Sequence, residues 1–197
     1  MRNQADKERV VQDLWKSVRV RAFQESDIDQ HIAYWHNPEN TFLEDLGVDR
    51  QRLIPAHKMR EQLQYVLNKM PQACSLLTIE YQGQAIGVHE LTDVVEQESG
   101  VMHASIWTSE FRGLGIGKVS YVKAMQWYFE HLPLQRILFK TPKNNRAANK
   151  LKQTLKIKQV GECTYELPIF GRPIEAHLYE MTRSAFEHQV ALAAPRE

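Results

Sequence analysis

The chain has 197 residues, of which 43% are hydrophobic and 25% are charged, and its formal net charge is +1. This composition predicts one globular domain, and the near-neutral charge argues against a nucleic-acid partner, because phosphate binding needs a concentrated basic face. The first residues are too polar for a signal peptide, and no long apolar run is present. We therefore expect a cytoplasmic protein that does not bind membranes.

Hydrophobic periodicity predicts an amphipathic helix within residues 1–17, a domain at 18–183 and a tail at 184–197. In chain order, the domain is predicted to contain a strand at 18–23, helices at 26–37 and 57–69, strands at 75–81, 85–91 and 101–108, a helix at 117–130, a strand at 136–140, a helix at 144–156, and strands at 160–167 and 174–182. This order favours an α/β fold with a mixed, mostly antiparallel, twisted sheet of six to seven strands, flanked by helices on both faces.

A glycine-rich run, Arg112-Gly-Leu-Gly-Ile-Gly117, lies between a predicted strand and a predicted helix. Glycines leave backbone N–H groups open, and a helix N-terminus adds the positive end of its dipole. A strand that turns through glycines into a helix is therefore suited to a pyrophosphate. The run predicts an anion-binding turn at this place.

Two other glycine motifs do not fit this run. A Walker A loop would need glycine at Arg112 and serine or threonine at Val119. A dinucleotide fingerprint beginning at Gly113 would need glycine at Lys118, and the following strand at 136–140 has no acidic residue at its end. The residues at these positions therefore exclude both motifs.

The spacing of Arg112, Gly115 and Gly117 resembles the Arg/Gln-x-x-Gly-x-Gly/Ala motif of the GNAT superfamily of N-acetyltransferases. The resemblance extends from about residue 18 to 182 in the order of elements, and the turn is most similar to the branch that acetylates ribosomal-protein N-termini. It implies that acetyl-CoA is the acyl donor. The pyrophosphate would be held at residues Arg112, Gly113, Leu114, Gly115, Ile116, Gly117 and Lys118.

The resemblance also assigns the rest of the donor site. The exposed backbone of Ile106, Trp107 and Thr108 would receive the pantetheine arm and donate an N–H group to the thioester carbonyl. Asn145 occupies the position of an asparagine that contacts the cofactor in the family. An asparagine at a helix start is equally well a cap, and the sequence leaves both interpretations open.

The groups that move protons are less well marked. Many relatives carry a glutamate on the strand before the turn, where this chain offers His103. Glu90 and His89 on the neighbouring strand are the alternative bases, and only one of them can face the site because side chains alternate along a strand. The family's proton-donating tyrosine corresponds to Lys152, for which the sequence favours a solvated helix lysine. Tyr165 is then the remaining candidate for the general acid.

The acceptor leaves weaker signals. By analogy with the family it would bind near Trp35, Glu44 and Asp45. The carboxylates of Glu44 and Asp45 suit a cationic amine. No spacing typical of metal ligands occurs, so we expect no metal. The sequence thus predicts an acetyltransferase for a primary amine of a protein N-terminus, an amino acid or a small cationic metabolite, acting as a monomer or homodimer. A non-catalytic acyl-CoA-binding module and a transferase for longer acyl groups remain alternatives.

Overall fold

The computed structural model describes residues 4–37, 39, 41–45, 47–69 and 75–193. The helices are α1 (Gln4–Ser17), α2 (Ile28–His36), α3 (Thr41–Asp45), α4 (Ala56–Lys69), α5 (Ile116–His131), α6 (Arg146–Thr154) and α7 (Arg183–Ala193). The strands are β1 (Val18–Ala22), β2 (Leu76–Tyr81), β3 (Gln84–Val95), β4 (Ser99–Ile106), β5 (Arg136–Pro142), β6 (Lys158–Tyr165) and β7 (Ile174–Thr182). The first three residues of the predicted N-terminal helix and the last four of the predicted tail lie outside the described residues.

The strands form one seven-stranded sheet in the order β1-β2-β3-β4-β5-β7-β6. Strands β4 and β5 are parallel, whereas β1 with β2, β2 with β3, β5 with β7 and β6 with β7 are antiparallel. A parallel pair joined through helix α5 is the expected result of a strand–helix–strand crossover. The predicted α/β fold with a mixed, mostly antiparallel sheet is confirmed.

The chain packs into two compact units that share strands β3 and β4. The first unit comprises Met1–Asn40, Ile54–Glu90 and Ala104–Ala124. The second unit comprises Thr41–Leu53, Leu91–His103 and Met125–Glu197. The predicted anion-binding turn therefore belongs to the first unit, and Asn145, Lys152 and Tyr165 belong to the second.

Helix α1 is fastened to helix α5 in the first unit. The Lys123 ammonium donates hydrogen bonds to the carbonyl oxygens of Trp15 and Val18, at 2.8 and 2.7 Å, and lies 4.8 Å from the centre of the Trp15 ring. The first bond satisfies a carbonyl in the last turn of α1, where carbonyls have no partner within the helix, and the second holds the start of β1. Leu14 packs on an apolar cluster whose buried members are Val18, Ile79, Ile86, Ile116 and Val119.

A buried carboxylate organises the start of helix α2. Asp27 is only 2% exposed and accepts hydrogen bonds from both terminal nitrogens of Arg21 (2.6 and 2.9 Å), from Thr78 Oγ1 (2.7 Å) and from the backbone N–H of Gln24 (2.9 Å). Burial alone would raise the pKa of Asp27, but the hydrogen bonds from Arg21 and Thr78 hold it below its usual value. The ionised form is therefore the one that stabilises the fold.

We expect Asp27→Asn to lower the free energy of unfolding by about 2 kcal/mol at pH 7, because the amide cannot accept the same charge-assisted bonds. A lowered pKa contributes stability above the unfolded value, and this contribution is lost as the pH falls through the folded pKa. The difference between wild type and variant should accordingly shrink from pH 7 to pH 3 in urea titrations. Asp29→Asn is the matched control, since Asp29 on the same helix is largely exposed and pairs with Arg60. Equal losses for the two variants would contradict the role of Asp27.

In the second unit, residues 183–193 form helix α7, where the sequence predicts only a tail that frays from residue 187. The Arg183 guanidinium explains the difference, since it donates hydrogen bonds to three backbone carbonyls, those of Phe129, Leu132 and Leu134. The Thr182 hydroxyl accepts a hydrogen bond from the N–H of Ala185 in the first turn. Phe186 is buried with its ring 5.5 Å from that of Phe129, so this segment is docked rather than frayed.

Candidate active site

The end of strand β4 and the start of helix α5 form the turn singled out in the sequence. After Ile106 the chain bends at Trp107 and has extended backbone angles at Thr108, and the Trp107 N–H donates a hydrogen bond to the Ile86 carbonyl at 2.8 Å. A 3-10 turn over Ser109–Phe111 follows, and α5 begins at Ile116. The Arg112 guanidinium donates a hydrogen bond to the Ile106 carbonyl at 2.9 Å, so it ties the turn to the strand end.

The turn requires glycine at two positions. Gly113 has φ +78° and Gly115 has φ +84°, a left-handed conformation that costs residues with a side chain about 1–2 kcal/mol. A Cβ atom at Gly113 would meet no atom within 4 Å, whereas one at Gly115 would lie 3.1 Å from Leu14 Cδ2. Gly113 thus faces open space, and Gly115 is also confined by helix α1.

The turn presents its backbone N–H groups as an anion site would. The N–H of Lys118 already bonds to the Gly115 carbonyl, at 3.0 Å, so Ile116 and Gly117 are the first helical residues and have no acceptor within α5. Ile116 is fully buried and anchors the helix, while Leu114 is 54% exposed at the tip of the turn. Open amides at the positive end of a sixteen-residue helix can bind a phosphate group.

Gly87 in strand β3 allows this strand to pass close to the end of β4. A Cβ atom at Gly87 would lie 2.2 Å from the Ser105 carbonyl oxygen and 3.1 Å from Ile106 Cα. Both are backbone atoms, so they cannot turn aside as a flexible side chain would. Gly87 therefore permits a close approach of β3 to the strand whose backbone is predicted to receive the pantetheine arm. The sequence pattern does not single out Gly87, since a lone glycine within a strand is only a weak signal.

An aromatic cluster lies beside the end of β4. The Trp35 indole N–H donates a hydrogen bond to His31 Nε2 at 3.2 Å, and the His31 ring lies edge-on to Phe23 and to Trp107, with ring centres 5.8 and 6.2 Å apart. Burial lowers the pKa of His31 to about 4, so the ring is neutral at pH 7. Trp35, predicted as an acceptor contact, therefore belongs to this cluster.

A cavity of about 200 Å³ in the first unit opens next to the same strand end. Its walls are Gln30, Ala33, Tyr34, Asn37, Gln84, Ala85, Ile86, Trp107 and Thr108. Tyr34 is buried, and its hydroxyl makes a hydrogen bond with Ser105 on β4. None of the nine lining side chains is charged, but amide, hydroxyl and indole groups are all present.

Strand β3 directs its two candidate bases to opposite faces of the sheet. His89 is fully buried, with its ring 5.0 Å from the ring of Tyr121 on helix α5. Side chains alternate along a strand, so Glu90 points to the face opposite α5. Burial raises the pKa of Glu90 above its usual value. Glu90 is therefore a carboxylate whose affinity for a proton is increased.

His103, the other predicted base, lies in the second unit. Its Nε2 atom is 3.1 Å from the Thr92 hydroxyl. Burial lowers the pKa of His103 to about 4; the positive charges of Lys140 and Lys152 act in the same direction, and Asp93 opposes them. Asp93 itself forms an ion pair with Lys140 at 3.1 Å. His103 is thus neutral at pH 7 and a weak base.

The prediction that Lys152 is a solvated helix lysine is wrong. Its side chain is 2% exposed, and its ammonium nitrogen lies 4.9 Å from the centre of the Phe139 ring. Burial lowers the pKa of Lys152 to about 7. Ala148, Lys152 and Leu155 follow one another at intervals of four and three residues, which is the spacing of one helix face. This periodicity could have predicted from the sequence that Lys152 points inward.

The remaining predicted residues are placed as follows. Asn145 caps helix α6, because its side-chain oxygen accepts a hydrogen bond from the N–H of Ala148 at 3.1 Å. Tyr165 packs edge-on to Phe170, and burial raises its pKa to about 12. The Glu44 carboxylate forms an ion pair with Arg50 at 2.6 Å, so the side chain predicted to attract a cationic amine already has a partner in the protein. Asp45 is exposed, and its carbonyl accepts a hydrogen bond from Asn144.

Two further properties of the described part of the chain bear on its class. No group of three or more His, Cys, Asp or Glu side chains is arranged there to hold a metal ion. Among the same residues, no helix is both long and apolar enough to cross a membrane.

The family model of the acetyltransferase (GNAT) domain matches residues 17–158. The chain therefore belongs to the GNAT acetyltransferase family, as the glycine turn predicted, and its class is that of an acyltransferase. A search among curated proteins finds no significant match.

Solved structures of GNAT enzymes share the fold. The ribosomal L7/L12 alpha-N-protein acetyltransferase RimL in complex with coenzyme A has a TM-score of 0.70 and 17% identity, over 86% of this chain and 96% of its own. The ribosomal-protein-S5-alanine acetyltransferase from Vibrio fischeri has a TM-score of 0.69 and 16% identity, over 86% of this chain and 95% of its own. The spermidine N-acetyltransferase from Vibrio cholerae, in complex with CoA and spermine, has a TM-score of 0.69 and 17% identity, over 87% of this chain and 99% of its own. At these identities the likeness concerns the fold alone.

Proposed function

We propose that this protein is an acetyl-CoA-dependent N-acetyltransferase that acetylates a primary amine by direct attack on the thioester. The observation that carries the proposal is the turn from Arg112 to Gly117, whose open amides and left-handed glycines suit the CoA pyrophosphate. The similar structures that contain CoA or acetyl-CoA support this choice of donor. In the same proposal the protein acts in the cytoplasm as a monomer or homodimer, without nucleic acid, membrane or metal.

In this mechanism the turn and the strand end bind the donor. The amides from Gly113 to Gly117 hold the pyrophosphate, whereas the predicted contact at Lys118 would have to come from its side chain, because its N–H bonds to the Gly115 carbonyl. Arg112 maintains the turn through the Ile106 carbonyl, and the backbone of Ile106 to Thr108 orients the pantetheine arm. Asn145 contributes through the start of helix α6, which it caps. An N–H group of the β4 end would stabilise the oxyanion that forms when the amine attacks.

The attacking amine must lose a proton, and Glu90, which belongs to the same unit as the turn, suits the role of base better than His103. The nitrogen forms a bond to the thioester carbon, the C–S bond breaks, and the ammonium proton passes to the base. A peptide amine has a pKa near 7.7, and a base with a pKa of about 4, such as His103, receives its proton poorly. The raised pKa of Glu90 is better matched to this task.

The departing thiolate must gain a proton, and here Lys152 is chemically better suited than Tyr165. A thiol has an ordinary pKa of about 8.5. A donor with a pKa of about 7 gives its proton to such a thiolate readily, whereas a phenol with a pKa of about 12 does so only uphill. On proton affinity alone, Lys152 is therefore the better candidate for the general acid, and Tyr165 is the alternative.

The experiment that tests the proposed function is a thioester-release assay with acetyl-CoA over a panel of peptides, amino acids and polyamines. Release of CoA that depends on an added amine supports the enzyme. Tight CoA binding without release for any acceptor would identify a non-catalytic acyl-CoA-binding module. The same assay with longer acyl-CoA donors separates acetyl transfer from transfer of a larger acyl group.

We expect Glu90→Gln to lower kcat about 100-fold, the usual size of a general-base contribution. Because only the ionised carboxylate accepts a proton, wild-type activity should rise with pH through the raised pKa of Glu90, and the variant should lose this limb of the pH–rate profile. Glu96→Gln, at an exposed glutamate in the β3–β4 turn, is the matched control. A larger loss in His103→Ala than in Glu90→Gln would assign the base to His103 instead.

A further inference from the structure

The anion-binding turn is supported from two sides. On the strand side, the Arg112 guanidinium holds it through the hydrogen bond to the Ile106 carbonyl. Its tip projects outward, because Gly113 and Leu114 are exposed and a Cβ atom at Gly113 would meet no atom within 4 Å. On the helix side the turn enters α5 through Gly115, which is also exposed but has the side chain of another element against it.

Leu14 of helix α1 is that side chain. Its Cδ2 atom would lie 3.1 Å from a Cβ atom at Gly115, so it occupies the space directly in front of this glycine. The half-buried Leu14 side chain also packs on the apolar cluster that includes Ile116, the first residue of α5. Ile106 and Phe111 pack on the same cluster. Leu14 therefore contacts the turn and also the cluster on which both ends of the turn rest.

Helix α1 is held in place by contacts outside the turn. The Lys123 ammonium bonds to the carbonyl oxygens of Trp15 and Val18, and the Ser17 carbonyl accepts a hydrogen bond from the N–H of Gln82 at 3.0 Å. These groups all belong to the first unit, as does the turn. The end of α1 can therefore serve as a fixed support for Leu14.

We propose that helix α1 is a positioning element for the CoA-binding turn, and that Leu14 raises the affinity for CoA by holding Gly115 in place. A turn whose amides are already fixed loses less conformational freedom when it binds a ligand. All but the last residue of α1 precede residues 17–158, which the family model matches, so the match does not supply this role. The inference rests on the proposed function, because it takes CoA as the ligand of the turn.

The first test compares wild type with Leu14→Ala by calorimetric titration with CoA and by steady-state kinetics. We expect the Kd for CoA and the KM for acetyl-CoA to rise about 5- to 10-fold, with little change in kcat or in the KM for the acceptor. A variant that merely unfolds more easily would behave differently. It would lose active molecules, which lowers kcat and leaves both KM values unchanged.

Three further variants separate positioning from general stability. Leu63→Ala removes the same atoms from helix α4 in the same unit, at a buried residue that is not a member of the cluster among the described residues, and it should leave the Kd unchanged. Leu14→Met fills a similar volume and should restore most of the affinity. Lys123→Met leaves the turn and Leu14 intact but removes the two bonds that hold α1, so it should raise the Kd about 2- to 5-fold.

Hydrogen exchange of the wild type provides an independent readout. If α1 favours CoA binding, CoA must favour the docked position of α1 by the same factor. Saturating CoA should therefore slow amide exchange in peptides that cover residues 4–17, and this protection should be reduced in Leu14→Ala. Peptides from α4 serve as the internal reference.

An unchanged Kd for Leu14→Ala would overturn the inference, as would an equal rise for Leu63→Ala. Exchange in α1 that CoA does not slow would also overturn it, and this measurement stays decisive if Leu14→Ala fails to fold. Failure of the proposed function is distinguishable, because titration and exchange need no turnover: a protein that binds CoA without releasing it from acetyl-CoA still tests the role of α1. A wild type that binds no CoA would refute both proposals, and the first titration would report it.

Discussion

Replacement of Gly113 by aspartate is expected to weaken CoA binding at least a hundredfold. The side chain would project into the open space in front of the turn, where its carboxylate would repel the pyrophosphate. Saturating acetyl-CoA at a hundredfold excess over its Kd should stabilise the wild-type fold by about 2.7 kcal/mol. In the variant this stabilisation should disappear, as measured by the change in Tm with and without acetyl-CoA.

The chain offers a closely matched control for this experiment. Gly83, in the turn between β2 and β3, has φ +83°, and a Cβ atom there also meets nothing within 4 Å. Gly83→Asp thus adds the same charge at the same left-handed conformation in a different turn. Both variants should lose about 1–2 kcal/mol through backbone strain, but Gly83→Asp should keep the full response to acetyl-CoA. If both variants respond alike, the pyrophosphate is bound elsewhere.

Lys152→Met is expected to make the protein more stable and less active at once. A folded pKa of about 7 lies below that of the unfolded chain, so the unfolded state binds more protons between pH 7 and pH 10 and stability rises with pH across this window. Below pH 7 the cost of the buried charge is complete, on the order of 5 kcal/mol. Methionine removes this cost, so the advantage of the variant should be largest below pH 7 and small at pH 10.

The activity of the same variant distinguishes a catalytic lysine from a structural one. Loss of the general acid should reduce kcat about 100-fold even though the fold is more stable. Lys150→Met, at an exposed lysine on the same helix, should change neither property. Unfolding titrations at pH 6 and pH 10 together with kcat values provide the test. A destabilised Lys152→Met, or one with unchanged kcat, would contradict the assignment.

The glycine turn could be predicted because its geometry depends on the backbone. The spacing of Arg112, Gly115 and Gly117 indicated the turn and the family, and the left-handed conformation at Gly113 and Gly115 is the physical reason that glycine is needed there. The periodicity of the strands and helices likewise gave the order of the elements. Local geometry and the sequence pattern agree in these regions.

The polar groups were harder to predict because their properties depend on burial. Whether Lys152 is solvated or inside, and whether Glu90 or His103 keeps its proton, depends on how the helices cover the sheet. From the sequence, Glu44 was predicted to attract a cationic acceptor. Its ion pair with Arg50 comes from packing in the second unit, which the sequence does not reveal. The docking of α7 through Arg183 depends on carbonyls some fifty residues earlier, which no local pattern reveals.

The close approach at Gly87 also affects how relatives should be compared with this chain. The position touches no predicted ligand, yet the Ser105 carbonyl leaves no room for even a methyl group. Purifying selection at residue 87 would therefore reflect the spacing of two backbones and would carry no information about catalysis. A homologue with a larger residue at this point must separate its strands differently, so position 87 is a useful marker of register when distant sequences are aligned.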